Sequence, residues 1–213
     1  MQLRESSSKG GWSVELVEDD KSISRLWIAN RQMRIGTAVV EVGGIAGVGT
    51  DKRYRNKGLA RQVLDAALSL MQRENYDASF LYGIQDFYDK FDFITCMPEH
   101  NLELDTRAAE RAIKVLKTRA LKKGDMPHIA RIYNRTNAKL TASCVRNIRT
   151  WHGFPRGSGF FVPCFVRVVV DARDRIVGYA VYDDVKDRCR IAEVGGQSAD
   201  VFSSLLHDMA RRA

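Results

Sequence analysis

Apolar residues along this chain fall into short strand-like runs broken by a few helical stretches. Ala60, Val63, Leu64, Ala67, Leu68 and Met71 recur at offsets of three, four, seven, eight and eleven, while Arg61, Gln62, Asp65, Ser69 and Gln72 fill the other face. That spacing predicts an amphipathic helix ending near Arg73. Ahead of it lie the runs Ser13 to Val17, Ile23 to Ala29, Gln32 to Val42 (open to a break within it) and Gly44 to Thr50, with Asp19-Asp20-Lys21 as a turn between the first two. Behind it, Asn75 to Asp77 punctuates, Ser79 to Tyr82 reads as a further strand, and Gly83 ends that strand before the aromatic segment Phe87 to Phe93. Strands feeding a helix and then another strand predict a mixed α/β (α+β) layer built on one sheet.

The second half repeats part of this order. Val115 to Ala120 reads as a strand, and Asp125 to Asn134 as an N-capped helix with Met126, Ile129, Ile132 and Tyr133 facing inward. Phe165 to Val170 and Ile176 to Tyr182 flank Asp171-Ala172-Arg173-Asp174, a hairpin signal. Arg190 to Val194 is a further strand candidate, and a helix follows from about Asp200 to Arg211. The expected organisation is a flexible leader over residues 1–11, a first domain over 12–105 and a second over 106–213.

Composition narrows the class. The 213 residues suffice for a real core, and 45% hydrophobic with 28% charged is ordinary for a globular protein. The net charge of +8 favours an anionic partner. Its charges are dispersed, without a Lys/Arg block or a nucleic-acid-binding signature, so nucleic acid is not the expected partner. Cys96, Cys144, Cys164 and Cys189 lie far apart with no CxxC or Cys/His spacing. They read as reduced thiols of a cytoplasmic protein, with no metal site expected. No apolar run approaches the roughly 18 residues of a membrane span, and the N-terminus lacks a signal-peptide core.

The stretch Arg55-Asn56-Lys57-Gly58-Leu59-Ala60 carries the most chemistry. A glycine-bearing loop that turns a strand into a helix start points several backbone N–H groups at one spot. The helix dipole adds partial positive charge there, and Arg53, Arg55 and Lys57 add full charges. Gly58 costs about 1 kcal/mol relative to alanine near a helix start, which a close approach of backbone to a ligand would account for. The pattern fits an anion site, most naturally for a diphosphate. An ordinary strand-to-helix turn with a solvated basic rim would show the same residues.

The order strand, Arg55-x-x-Gly58-x-Ala60, helix, strand, then Phe87-Tyr88-x-x-x-Asp92-Phe93 resembles the GCN5-related N-acetyltransferase (GNAT) superfamily. That family's loop reads (Arg/Gln)-x-x-Gly-x-(Gly/Ala), and its backbone amides hold the diphosphate of acetyl-CoA. The resemblance implies a GNAT acyl-CoA N-acyltransferase fold with acetyl-CoA as co-substrate, no metal, and an amine as acceptor. It implies cofactor contacts from Val48, Gly49, Thr50, Arg55, Asn56, Lys57, Gly58, Leu59 and Ala60. Asp92 stands where the family usually has glycine. Leu81-Tyr82-Gly83 with Phe87-Tyr88, and the echo in the second half, resemble the tandem Eis-type acetyltransferases. The echo's loop, Gly195-Gly196-Gln197-Ser198-Ala199-Asp200, lacks the Arg-x-x-Gly-x-Ala spacing and any positive charge, so the second domain is expected to be non-catalytic. Measured against the family pattern, the first domain is expected to have an incomplete N-terminal wall, or one supplied elsewhere, and the second to be truncated at its first long helix. Exposed sheet edges would then favour a homo-oligomer.

Acetyl transfer to an amine needs a base for the amine and an acid for the departing thiolate. No side-chain nucleophile is required when the amine attacks directly, which fits the lack of a Ser/His/Asp or Cys/His signature. By its place in the family-like block, Tyr88 is the expected general acid, its ordinary pKa near 10 keeping it protonated at neutral pH. Glu41, on the strand run before Gly43-Gly44, resembles the glutamate bases that some GNAT enzymes carry there. The alternative is a catalytically inactive GNAT-like module that binds CoA or another protein.

Overall fold

The computed structural model describes residues 1–84, 86–97, 101–149, 151, 153–158, 162–183 and 189–212. Its chain forms two compact units, Met1–Glu99 with Leu140–Val145, and His100–Lys139 with Arg146–Ala213.

The first unit is a five-stranded sheet in the order β1-β2-β3-β4-β5, with β1 Gln2–Ser8, β2 Gly11–Glu18, β3 Lys21–Ile35, β4 Ala38–Thr50 and β5 Ala78–Leu81. Pairing is antiparallel through β4, and β4 pairs with β5 in parallel from Val42↔Ala78 to Ile45↔Leu81. A parallel pair requires a crossover, and helix α1, Leu59–Arg73, supplies it. Its Val63, Leu64, Ala67, Leu70 and Met71 close over Val14, Leu16, Ile23, Leu26, Ile28 and Ile45 from the sheet. The helix ends in a Schellman motif: Asn75 turns left-handed at φ 58°, while the N–H groups of Tyr76 and Asn75 donate to the Met71 and Gln72 carbonyls.

Two expectations are corrected here. Residues 1–11 are not a flexible leader, because Gln2–Ser8 is paired along its whole length with β2. Every side chain of this strand is exposed, so backbone pairing holds it and no apolar alternation betrays it. The run from Gln32 to Val42, read as open to a break, is broken by a hairpin turn between Ile35 and Ala38. Gly43-Gly44 does not interrupt β4. A Cβ on Gly43 would stand 2.3 Å from Met71 Sδ and one on Gly44 3.2 Å from the Phe80 ring. These glycines let the helix and the neighbouring strand close on β4.

β2 leaves off at Gly11↔Ala29, and past that point the free edge of β3 is covered by Leu140–Val145. Arg34 N–H donates to the Ser143 carbonyl, Ala142 N–H to the Arg34 carbonyl and Val145 N–H to the Gln32 carbonyl.

The second unit is an antiparallel sheet in the order β6-β7-β8-β9, with β6 Lys117–Ala120, β7 Cys164–Val170, β8 Ile176–Asp183 and β9 Ile191–Gly195. A short helix α2, Thr106–Glu110, precedes it, α3 spans Met126–Thr136 and α4 spans Ala199–Ala210. Alternation along the strands serves both faces. Val168, Tyr179 and Val181 pack with Ile129 of α3, while Val169, Ala180 and Tyr182 pack with Val201, Leu205 and Met209 of α4. Asp125 opens α3 without capping it through its side chain. Its carboxylate instead accepts from the Arg119 guanidinium at 2.6 Å and from Lys122 N–H at 2.7 Å.

Candidate active site

The site grows out of a divergence in the first sheet. β4 and β5 stay paired only as far as Ile45↔Leu81. Past that point β4 continues through Thr50, paired on one side with β3 and without a β5 partner on the other. Gly47 at φ 63° lies beside a register shift opposite Arg25 to Trp27, which bends this end of the strand. Val48, Gly49 and Thr50 therefore stand on a strand edge that β5 has left. An extended ligand with amide groups could pair there.

The chain then turns into α1. Asp51 N–H donates to the Ile23 carbonyl, and the Asp51 carboxylate accepts from Arg53 N–H, closing a single 3-10 turn over Lys52–Tyr54. Asn56 and Gly58 are both left-handed, at φ 61° and φ 74°. Gly58 is the N-cap and brings no capping side chain. The N–H groups at the start of α1, from Leu59, Ala60 and Arg61, face out of the helix without intrahelical acceptors, as at any helix start. Arg53, Arg55 and Lys57 surround them with exposed side chains. Concentrated N–H donors, the helix dipole and three cations make this an anion-binding geometry.

Tyr54 organises the basic rim. Its ring carries the Arg53 guanidinium at 5.9 Å and the Lys57 ammonium at 5.2 Å, and its hydroxyl donates to Glu18 Oε2 at 2.7 Å. Sequence reasoning missed this residue. An aromatic between two arginines in a solvated loop was the available signal.

Tyr88 packs on the same core as Val48 and Tyr54. Its ring meets Phe87 edge-on at 4.9 Å and lies 6.2 Å from Phe93. Burial pushes its phenol above the ordinary tyrosine value. Its hydroxyl has no hydrogen-bond partner among the described residues, which leaves a protonated donor free to serve a ligand. Arg61 in the first turn of α1 stacks 4.6 Å over the Phe91 ring and ties the aromatic block to the helix start. Asp92 is left-handed at φ 63°, so the place where the family has glycine keeps the glycine-type conformation. Aspartate tolerates that region better than most residues.

Glu41 lies elsewhere. It is exposed at the other end of the β4–β5 pair, where its N–H donates to Asp77 and its carboxylate accepts from Gln32 at 2.6 Å. At ~3.3 Å per residue, Val48 is about 23 Å further along the strand. Val48, Leu59 and Tyr88 thus share one core, and Glu41 lies apart from it.

Among the described residues there is no cluster of His, Cys, Asp and Glu suited to a metal, and no helix long and apolar enough to cross a membrane.

Comparison with known proteins agrees with this geometry. Residues 2–96 match the family model described as an acetyltransferase (GNAT) domain. The match covers most of the first unit, whose mixed sheet has the GNAT fold. A probable N-acyltransferase from Enterococcus faecalis superposes with a TM-score of 0.74 at 16% identity, over 95% of this chain and 52% of that one. A GCN5-related N-acetyltransferase from Anabaena variabilis gives 0.71 at 20% identity, over 94% and 52%. Eis1 from Mycobacterium abscessus gives 0.57 at 14% identity, over 93% and 53%. At these identities the likeness is one of fold. The chain spans about half the length of these solved proteins. No curated protein matches the sequence significantly.

Proposed function

We propose that this protein is a cytoplasmic acetyl-CoA-dependent N-acetyltransferase in which an amine attacks the thioester directly. The observation that carries the reading is the junction of an unpaired strand edge, Ala46–Thr50, with a left-handed Gly58 loop opening α1. The N–H groups of Asn56 to Ala60, with Arg55 and Lys57 beside them, would hold the diphosphate. The edge at Val48, Gly49 and Thr50 would pair with the pantetheine amides. Tyr88, protonated and without a hydrogen-bond partner among the described residues, would donate a proton to the departing CoA thiolate. Glu41 is not carried forward as the base, given its place at the far end of β4. A water in the cleft is the simplest base compatible with the residues gathered there. The second unit is read as a GNAT-like half without a cofactor loop, since Ser198 caps α4 where a phosphate would have to sit.

Calorimetric titration with acetyl-CoA tests the binding step: the wild type should bind and Gly58→Glu should not. Binding by neither would sink the reading. Thiol release over a panel of amines tests turnover, and an unchanged rate in Tyr88→Phe would remove Tyr88 from the mechanism.

The displacement of Glu41 favours one second reading, a GNAT-like module that holds CoA without turnover. Saturable CoA binding with no thiol release from any amine would select it.

A further inference from the structure

We infer that Glu18 and Tyr54 form a strut that sets the anion-binding loop, with Tyr54 as a positioning residue for the diphosphate. This rests on the acetyl-CoA reading above. Residues 51–58 contain two left-handed positions, Asn56 and Gly58, and no helix or strand of their own beyond one 3-10 turn. The side-chain bonds of Asp51, Arg53 and Arg55 stay within residues 50–55. Among the described residues, the bond from the Tyr54 hydroxyl to Glu18 is the one side-chain hydrogen bond joining the loop to another element of the sheet.

The position of the strut matters as much as its presence. Glu18 ends β2, two strands away from β4 in the sheet order. The loop is thus held at one end by the Asp51 N–H on the Ile23 carbonyl and at its middle by Tyr54 on Glu18. The Tyr54 ring rests against the core under α1. Its outer face carries Arg53 and Lys57. One side chain therefore fixes the loop's height above the sheet and the direction of two of its four cations. A charged acceptor makes the strut stronger than a neutral hydrogen bond. It also keeps a carboxylate, which would repel a diphosphate, occupied by the phenol hydroxyl.

The experiment compares Tyr54→Phe, Glu18→Ala and Glu18→Gln with the wild type in acetyl-CoA binding, alongside the unliganded melting temperature. A second probe, S-acetylpantetheine, keeps the thioester and pantetheine arm but lacks the diphosphate, and its affinity is read by competition at millimolar concentration. Tyr54→Phe and Glu18→Ala should each weaken acetyl-CoA about tenfold, the loss of one hydrogen bond to a charged group. Glu18→Gln, which keeps an acceptor oxygen, should recover most of that loss. The double variant Glu18→Ala/Tyr54→Phe should be no worse than either single change, and S-acetylpantetheine should bind all variants alike. Unchanged acetyl-CoA affinity with only a lowered melting temperature would overturn the strut and reduce the pair to a structural contact. Equal losses for both probes would do the same. Failure of the wild type to bind acetyl-CoA would overturn the cofactor reading itself, so the two failures are distinguishable.

Discussion

The ring of Tyr88 occupies the space that a side chain on Gly83 would need. A Cβ at Gly83 would stand 2.6 Å from Tyr88 Cδ2 and 2.7 Å from Leu81 Cδ1. The glycine two residues past β5 is therefore what lets the tyrosine lie against the strand end.

Gly83→Ala should accordingly displace Tyr88 as well as destabilise the fold. Overpacking of this kind costs about 1–3 kcal/mol. Urea denaturation should show that loss, and CoA release should fall in the same variant if Tyr88 is the acid. An alanine variant of wild-type stability would mean that the ring moves aside freely.

Gly58→Ala separates backbone strain from ligand contact. The added Cβ would meet no atom within 4 Å, so the only structural cost is the left-handed φ of 74°. That costs about 1–2 kcal/mol for a residue with a Cβ. Chemical denaturation should report a loss of that size, while titration should show a larger loss of acetyl-CoA affinity, because the methyl group projects into the anion site.

Arg146 should be among the most sensitive positions of the second unit. Its guanidinium makes two 2.6 Å bonds to Glu193 and lies 3.7, 4.5 and 5.0 Å from the Tyr133, Trp151 and Phe154 ring centres. Tyr179 donates to the same Glu193 at 2.5 Å. Arg146→Ala would leave that carboxylate without its cation, a change that costs about 3–5 kcal/mol at buried pairs. A loss under 1 kcal/mol in denaturant melts would show that water reaches Glu193 readily. The double change Arg146→Met/Glu193→Gln should recover much of the loss.

Asp208 gives the second unit an acid limit. Burial alone would raise its carboxyl, but hydrogen bonds from Arg167 and Thr118 and the charges of Arg167 and Arg212 hold it below the usual carboxylate value. A group depressed on folding binds fewer protons folded than unfolded. Its stabilisation is complete above the unfolded value near 3.9 and fades as the pH falls through the lower folded one. Asp208→Asn should therefore be less stable than wild type at pH 7, with the gap closing as the pH falls below the unfolded carboxylate value. A gap independent of pH would assign the effect to packing.

How legible these features were in the sequence follows from what each rests on. Helix α1 showed itself because its buried positions recur at helical spacing, although Leu70 rather than Leu68 is the residue fully enclosed. The β7–β8 hairpin showed itself because Asp171 is a turn-forming residue whose carboxylate accepts from the Arg173 and Arg175 N–H groups. Strand β1 was hidden because pairing alone defines it, and Gly43-Gly44 misled because close packing and a chain break look alike in sequence. In the candidate site, the loop from Arg55 to Ala60 was legible as a local pattern of glycine and charge. The Glu18–Tyr54 contact was not, since 36 residues separate its partners. Nor was the distance between Glu41 and the loop, which depends on where β4 and β5 part.

The return of Leu140–Val145 to the edge of β3 bears on how this protein can be dissected. The chain leaves the first unit, builds about 40 residues of the second, and comes back for six residues before completing it. No single cut yields both units whole. A fragment ending near residue 99 would bare the backbone of Gln32 and Arg34 that the returning segment occupies, and bared strand edges recruit neighbours. Its tendency to stick to itself would then be a property of the scissors and not of the molecule.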